Sequence, residues 1–154
     1  TTGMRFFTVY GPYGRPDMAY YKFTEAIFND LPIDVYNNGN MKRDFTYIDD
    51  VIESIIKIMK IAPSNSLNPH TLASAPYELI NIGNNSPVSL NDFISAIEDA
   101  LGKKAKKNLL PMQKGDVPVT FADIDPLIEK FDIKPKTNID DGIKSFVKWF
   151  LESK

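Results

Sequence analysis

MKRDFTYIDDVIESIIKIM, Met41–Met59, joins the β-branched and aromatic run RDFTY to a run in which Ile48, Val51, Ile52, Ile55, Ile56 and Met59 recur every three to four residues. Strand-forming residues pass directly into helical spacing. Asp49 and Asp50 fall where carboxylates complement the N-terminus of the helix that follows. A strand feeding a helix in this way is the unit of an α/β fold.

The same alternation extends in both directions. Upstream, LPIDVYNNGN predicts a short strand, Ile33 to Tyr36, closed by an Asn-Asn-Gly-Asn turn, with RDFTY as its hairpin or neighbouring partner. Met4 to Tyr10 is a further strand, starting almost at once and without a polar leader. YGPYGRPD, Tyr10 to Asp17, is a turn cluster, and Asp17 is placed to cap a helix through MAYYKFTEAIFND.

Downstream, the helix of the opening stretch is expected to end near Ala62. The stretch from Pro63 to Pro76, rich in Pro, Ser and Asn, is read as an inserted loop and not as a domain boundary. YELINIG predicts a buried strand. SPVSLNDFISAIEDALG predicts a helix with Ser89 and Asp92 in capping-box spacing and Gly102 just past its end. KKAKKNLLP follows as a short strand, and DIDPLIEKF as a helix with Asp125 as cap and Pro126 at its first position. TNIDDGIKSFVKWFLESK closes the chain as an amphipathic helix, with Thr137 and Asp140 in capping order and Ile139, Ile143, Phe146, Val147 and Phe150 inward. Residues 1–154 are expected to form a single α/β domain.

Composition narrows the function classes. With 43% apolar and 25% charged residues, 154 residues suffice for a real core. A net charge of −2 gives no broad electrostatic reason to bind nucleic acid or an anionic membrane. The lysines of KKAKK, Lys103 to Lys107, read better as a solvated strand face than as a nucleic-acid patch. Having no cysteine and one histidine, His70, the sequence excludes disulfides, thiolate zinc sites and a histidine metal cluster, and it fits a cytoplasmic setting. There is no glycine-rich dinucleotide turn, no P-loop and no Tyr-x-x-x-Lys pair. The chain by itself is therefore expected neither to hold a dinucleotide nor to be catalytic.

Four segments in order, RFFTVYGPYGRPDMA, LPIDVYNNGNMKRDFTYIDD, NIGNNSPVSL and LLPMQKGDVPVTFADI, together resemble the C-terminal substrate domain of extended short-chain dehydrogenases. Within that group the resemblance is to the NAD-dependent epimerases and dehydratases, UDP-glucuronate 4-epimerases foremost. It spans essentially the whole chain. It implies that an NAD-binding Rossmann part, with the glycine-rich turn and the Tyr-x-x-x-Lys pair, precedes these residues in a longer, homodimeric, cytoplasmic enzyme of polysaccharide biosynthesis. The reaction implied is interconversion of UDP-glucuronate and UDP-galacturonate by C4 oxidation, rotation of the keto sugar and re-reduction.

Site residues follow from the same resemblance. Arg43 is implied to hold the UDP pyrophosphate, because a planar guanidinium meets phosphate oxygens with two parallel hydrogen bonds. A surface ion pair with Asp44 or Asp49 is the competing reading. Tyr36 falls at the position beside the uracil ring, or is an ordinary half-buried strand tyrosine. Asp116 falls near the nucleotide, where a carboxylate accepts from ribose hydroxyls, or is a turn aspartate before Val-Pro. UDP-galactose epimerases carry an arginine where this chain has Gln113, so a second pyrophosphate cation is looked for at Lys22 or Lys114. Thr8 and Arg15 match positions facing the sugar. Oxidised glucuronate is a β-keto acid that loses carbon dioxide unless its carboxylate is clamped, and Arg15 suits that task; pairing with Asp17 or Glu25 is the alternative. Phe7 is implied to lie near the nicotinamide, or is core. Other UDP-sugar 4-epimerases, a dTDP-glucose 4,6-dehydratase, or a non-catalytic nucleotide-sugar-binding module remain as alternatives.

Overall fold

The computed structural model describes residues 1–63 and 76–154. The expected inserted loop lies outside the described residues except at its two ends, and His70 lies outside them altogether. In chain order the elements are β1 (Thr2–Phe6), β2 (Thr8–Tyr10), α1 (Ala19–Phe28), β3 (Pro32–Val35), β4 (Lys42–Arg43), β5 (Phe45–Tyr47) and α2 (Ile48–Ile58). Then come β6 (Glu78–Ile82), β7 (Val88–Ser89), α3 (Leu90–Leu101), β8 (Lys106–Leu109), α4 (Asp125–Phe131) and α5 (Ile139–Glu152). Strands and helices are interleaved, and the fold is mixed α/β.

Strand pairing is largely parallel. β1 lies beside β6 with Phe6 opposite Ile82, β2 beside β5 with Thr8 opposite Phe45, and β3 beside β8 with Val35 opposite Leu109. β4 and β7 are antiparallel, Arg43 facing Val88. Parallel neighbours need a long crossover between them, and each of these pairs is separated by at least one helix. For that reason the expected hairpin between Ile33–Tyr36 and RDFTY is not made. β3 takes β8, while RDFTY breaks at Asp44 into β4 and β5 with different partners. The Asn-Asn-Gly-Asn turn does form, with Asn37, Asn38 and Gly39 at φ of 50, 49 and 83°, but it leads into β4 as a 3-10 bend. The first strand also divides, at Phe7.

Helix ends follow local chemistry where nothing distant competes. At α3 the Ser89 hydroxyl accepts the Asp92 N–H at 3.0 Å, and Gly102 closes the helix at φ 66°. Four other expectations are corrected. α1 starts at Ala19 after Met18 with no side-chain cap, because Asp17 is engaged by Arg15. α4 begins at Asp125 itself, whose N–H donates to Asp123. The cap of α5 is Asn138, which accepts the Asp141 N–H at 2.9 Å, while the Thr137 N–H donates to Asp50. α2 ends at Ile58, short of Ala62.

Apolar residues gather in two clusters. Tyr10, Ile27, Val35, Phe45, Phe93, Phe146 and Phe150 fill the space among α1, α3 and α5. Val51, Ile58, Ile80, Ile82, Leu127 and Phe131 pack around β6, α2 and α4. The apolar pattern of α2 exceeds what is buried, since Ile52, Ile56 and Met59 stay exposed. Among the described residues no helix is long and apolar enough to cross a membrane.

Candidate functional site

Strand ends beside the first cluster converge on a cavity of about 210 Å³. Thr8 opens β2, Tyr36 follows β3, Arg43 ends β4, and Asp116 follows the Gly115 turn; all four line this cavity. Much of the remaining wall is aromatic. Phe45 and Phe93 are stacked with ring centroids 4.4 Å apart and planes 6° apart, and Phe23 joins them from α1.

The charges are arranged differently from the surface pair that the sequence offered. Arg43 engages neither Asp44 nor Asp49; its Nη2 donates to Asp116 Oδ1 at 2.6 Å, and its Nη1 donates to the Lys42 carbonyl at 2.9 Å. The two side chains are 21% and 33% exposed. The pair is thus shielded but still reachable. The Asp116 amide donates to the Gln113 carbonyl, which closes the turn over Lys114 and Gly115.

Phe7 and Arg15 lie apart from this cavity, along a second, more open hollow with Val9, Tyr13 and Gly14. Arg15 is held by Asp17 through two bonds of 3.0 and 2.6 Å, both side chains exposed. Its guanidinium bond keeps the Asp17 carboxyl below the usual aspartate range. The pairing that competed with a sugar-facing role is therefore the one formed here. Lys22 is exposed on α1 and is not among the residues lining the cavity.

Sequence reasoning missed two acids. Asp34 lines the cavity, and its signal was the alternation Ile33 in, Asp34 out, Val35 in. Asp44 is fully buried, and its carboxylate accepts the backbone N–H groups of Asn84, Asn85 and Ala122 at 2.9, 3.1 and 2.9 Å. The KKAKK lysines are engaged locally. Lys103 pairs with Asp30, and Lys104 and Lys107 both pair with buried Glu98.

The turn between β2 and α1 has two glycines, but neither presents open backbone. A Cβ on Gly11 would meet Ile48 at 2.5 Å, and one on Gly14 would meet the Tyr20 hydroxyl at 1.9 Å. Their free sides are filled by the protein's own side chains.

This fold belongs to a recognisable class. The model of the NAD dependent epimerase/dehydratase family matches residues 1–83, and the chain belongs to that family. Among curated relatives, Protein CapI of Staphylococcus aureus is 56% identical over 99% of this chain and 47% of its own length. A probable UDP-glucuronate 4-epimerase of Rhizobium meliloti is 48% identical over 97% of this chain and 46% of its own. The crystal structure of UDP-glucuronic acid 4-epimerase from Bacillus cereus in complex with UDP-glucuronic acid and NAD superposes with a TM-score of 0.83 at 32% identity. That match covers 98% of this chain and 45% of the other. The chain spans about half the length of these relatives.

Proposed function

We propose that this chain is the nucleotide-sugar-binding part of an NAD-dependent UDP-sugar 4-epimerase that interconverts UDP-glucuronate and UDP-galacturonate. The observation that carries the reading is the meeting of Thr8, Tyr36, Arg43 and Asp116, from three separate segments, on one cavity. Relatives of 48% and 32% identity bear the name of this activity, which supports the choice of sugar.

Arg43 exchanges Asp116 for pyrophosphate oxygens, and Asp116, once released, accepts from ribose hydroxyls. Tyr36 offers its ring to uracil. At about 210 Å³ the cavity is smaller than the roughly 300–1,000 Å³ usual for small-molecule sites. It takes part of the nucleotide, and the sugar extends past Thr8 toward Phe7 and Arg15. There Arg15 grips the glucuronate carboxylate and keeps the β-keto acid from losing carbon dioxide, while Lys22 or Lys114 serves as the second cation for the pyrophosphate.

The residues present do not fit NAD, because the glycines of the one strand-to-helix turn that has two are closed by Ile48 and Tyr20. NAD belongs on this reading to the part of the enzyme beyond the chain, against which Phe7 is an apolar wall. The share of these residues is binding and orientation. The reading extends, by family resemblance, to a homodimeric cytoplasmic enzyme of polysaccharide biosynthesis. The engaged KKAKK lysines speak against a nucleic-acid partner.

Titration calorimetry of the chain tests the reading: UDP binds and NAD does not. Tighter binding of NAD than of UDP would end it.

A further inference from the structure

We propose that Asp44 is a positioning residue of this site, a buried clamp that fixes the segment carrying Asp116 against the strand carrying Arg43. The proposal rests on the nucleotide-sugar reading for its ligand, but not for its geometry.

Asp44 lies between β4 and β5 with no exposed surface. A carboxylate removed from water requires donors for its lone pairs, and here three backbone N–H groups supply them. Two come from the loop after β6, and the third is that of Ala122. The main chain of Asp44 adds two further ties: its N–H donates to Thr120 Oγ1 at 3.2 Å, and its carbonyl accepts the Thr8 N–H at 3.2 Å. One residue thus bonds the segment that begins with Thr8, the loop at Asn84 and Asn85, and the segment 120–122.

That last segment descends from Asp116. Between them, the Lys42 N–H donates to the Pro118 carbonyl at 2.8 Å, and the Thr120 N–H donates to the Lys42 carbonyl at 3.1 Å. Residues 116–122 therefore run along β4, with the Arg43–Asp116 pair at one end and the Asp44–Ala122 bond at the other. Gly83 permits the closure, since a Cβ there would stand 2.2 Å from that of Ala122. Without the carboxylate's bond to Ala122, residues 116–122 are held to this strand by the two Lys42 bonds, the Asp44 N–H bond to Thr120 and a 3.4 Å bond from Arg43 Nη1 to the Pro118 carbonyl, so the far end of the segment loosens and the separation of Arg43 from Asp116 is less firmly fixed. Tight, geometry-dependent recognition of a pyrophosphate and a ribose by these two side chains needs that separation held.

Asp44→Asn keeps the shape and turns one acceptor into a donor facing a backbone N–H. The first readout needs no ligand: hindered rotation of the Arg43 guanidinium, followed by NMR, reports its contact with Asp116 and is released by Asp116→Asn. Asp44→Asn is expected to speed that rotation toward the Asp116→Asn rate while the circular dichroism stays native. Unchanged rotation in a folded variant overturns the proposal. The second readout is UDP affinity. Asp44→Asn weakens it about tenfold in the native background but less than about twofold when Arg43 is already Gln, because the clamp acts through that side chain. Equal losses in both backgrounds reduce Asp44 to a general stabiliser and overturn the proposal. If the unmodified chain does not bind UDP, the functional reading fails, while the rotation experiment still decides the clamp. Should Asp44→Asn not fold, Thr120→Val removes the acceptor of the Asp44 N–H and is expected to speed Arg43 rotation in the same direction; no change overturns the proposal.

Discussion

The guanidinium of Arg43 and the carboxylate of Asp116, 73 residues apart in sequence, meet at 2.6 Å at the cavity. An anion that enters must compete with Asp116 for a cation that is already paired. Affinity then depends on how many phosphate bonds Arg43 gains against the one carboxylate bond it loses. Hydrogen bonds to charged groups contribute about 1.5–3 kcal/mol each.

Arg43→Gln is accordingly expected to weaken UDP binding by roughly 10- to 100-fold. Arg43→Lys should recover little of this, because an ammonium is a single point donor where the guanidinium is a planar fork. Calorimetric titration of both variants checks the expectation. Full recovery by lysine would mean that charge alone, and not planar two-point geometry, holds the pyrophosphate.

Arg15 presents the opposite situation. Its two bonds to Asp17 are exposed, so they are screened and hold it only weakly. In the complete enzyme, Arg15→Ala is expected to reduce kcat/KM for UDP-glucuronate at least about tenfold more than for UDP-galactose, the cost of one lost charge-assisted bond. Equal losses for the two sugars would leave Arg15 as nothing more than the partner of Asp17.

How much of this was legible in the sequence depends on how far each bond reaches. The cap of α3 was readable because Ser89, Asp92 and Gly102 act within one helix. The cap of α5 was misplaced by one residue: the Asn138 side chain accepts the Asp141 N–H, while Thr137 is tied to Asp50, 87 residues away, a bond with no local signal. Pairing was missed for the same reason: a parallel partner such as β8 for β3 has no local signal, whereas a hairpin does. Of the site, Thr8, Tyr36, Arg43 and Asp116 were marked by three of the four ordered motifs and do line one cavity. Phe23 and Phe93 carried no mark, since an aromatic residue at helical spacing reads as core. Asp44 was unreadable, because its three donors lie 40, 41 and 78 residues away.

Glu98 links stability to pH. Burial pushes its carboxyl up, but Lys104 at 2.9 Å, the Ala105 N–H at 3.1 Å and Lys107 at 3.3 Å together outweigh burial and hold it below the usual glutamate value. A carboxyl depressed in the folded state adds stability that is present above its unfolded value and is lost as pH falls through its folded value. Glu98→Gln should therefore cost about 1–2 kcal/mol at pH 7. The gap to the unmodified chain should close as pH is lowered from about 5 to 3. Urea melts across that range measure it, and a gap that persists at low pH would assign the cost to packing.

Gly142 sits inside α5, where alanine would ordinarily gain about 1 kcal/mol in helix propensity. Here a Cβ would stand 2.0 Å from the hydroxyl of Tyr10. That hydroxyl cannot swing aside, because Tyr10 is 1% exposed, is held edge-on by Tyr20, Phe45 and Tyr47, and donates to the Asn138 carbonyl at 3.3 Å. Overpacking of a closed core costs roughly 1–3 kcal/mol, so the clash outweighs the propensity gain and Gly142→Ala is expected to destabilise. Tyr10→Phe alone should cost about 1 kcal/mol, the worth of one hydrogen bond. Combined, the two changes should cost less than their sum, because removing the hydroxyl vacates the space that the new methyl needs. Denaturant titration of the two single variants and the double closes the cycle. Strict additivity would mean that α5 shifts away from β2 as a body, and that the close approach of Tyr10 to Gly142 is not what seats the last helix on the sheet.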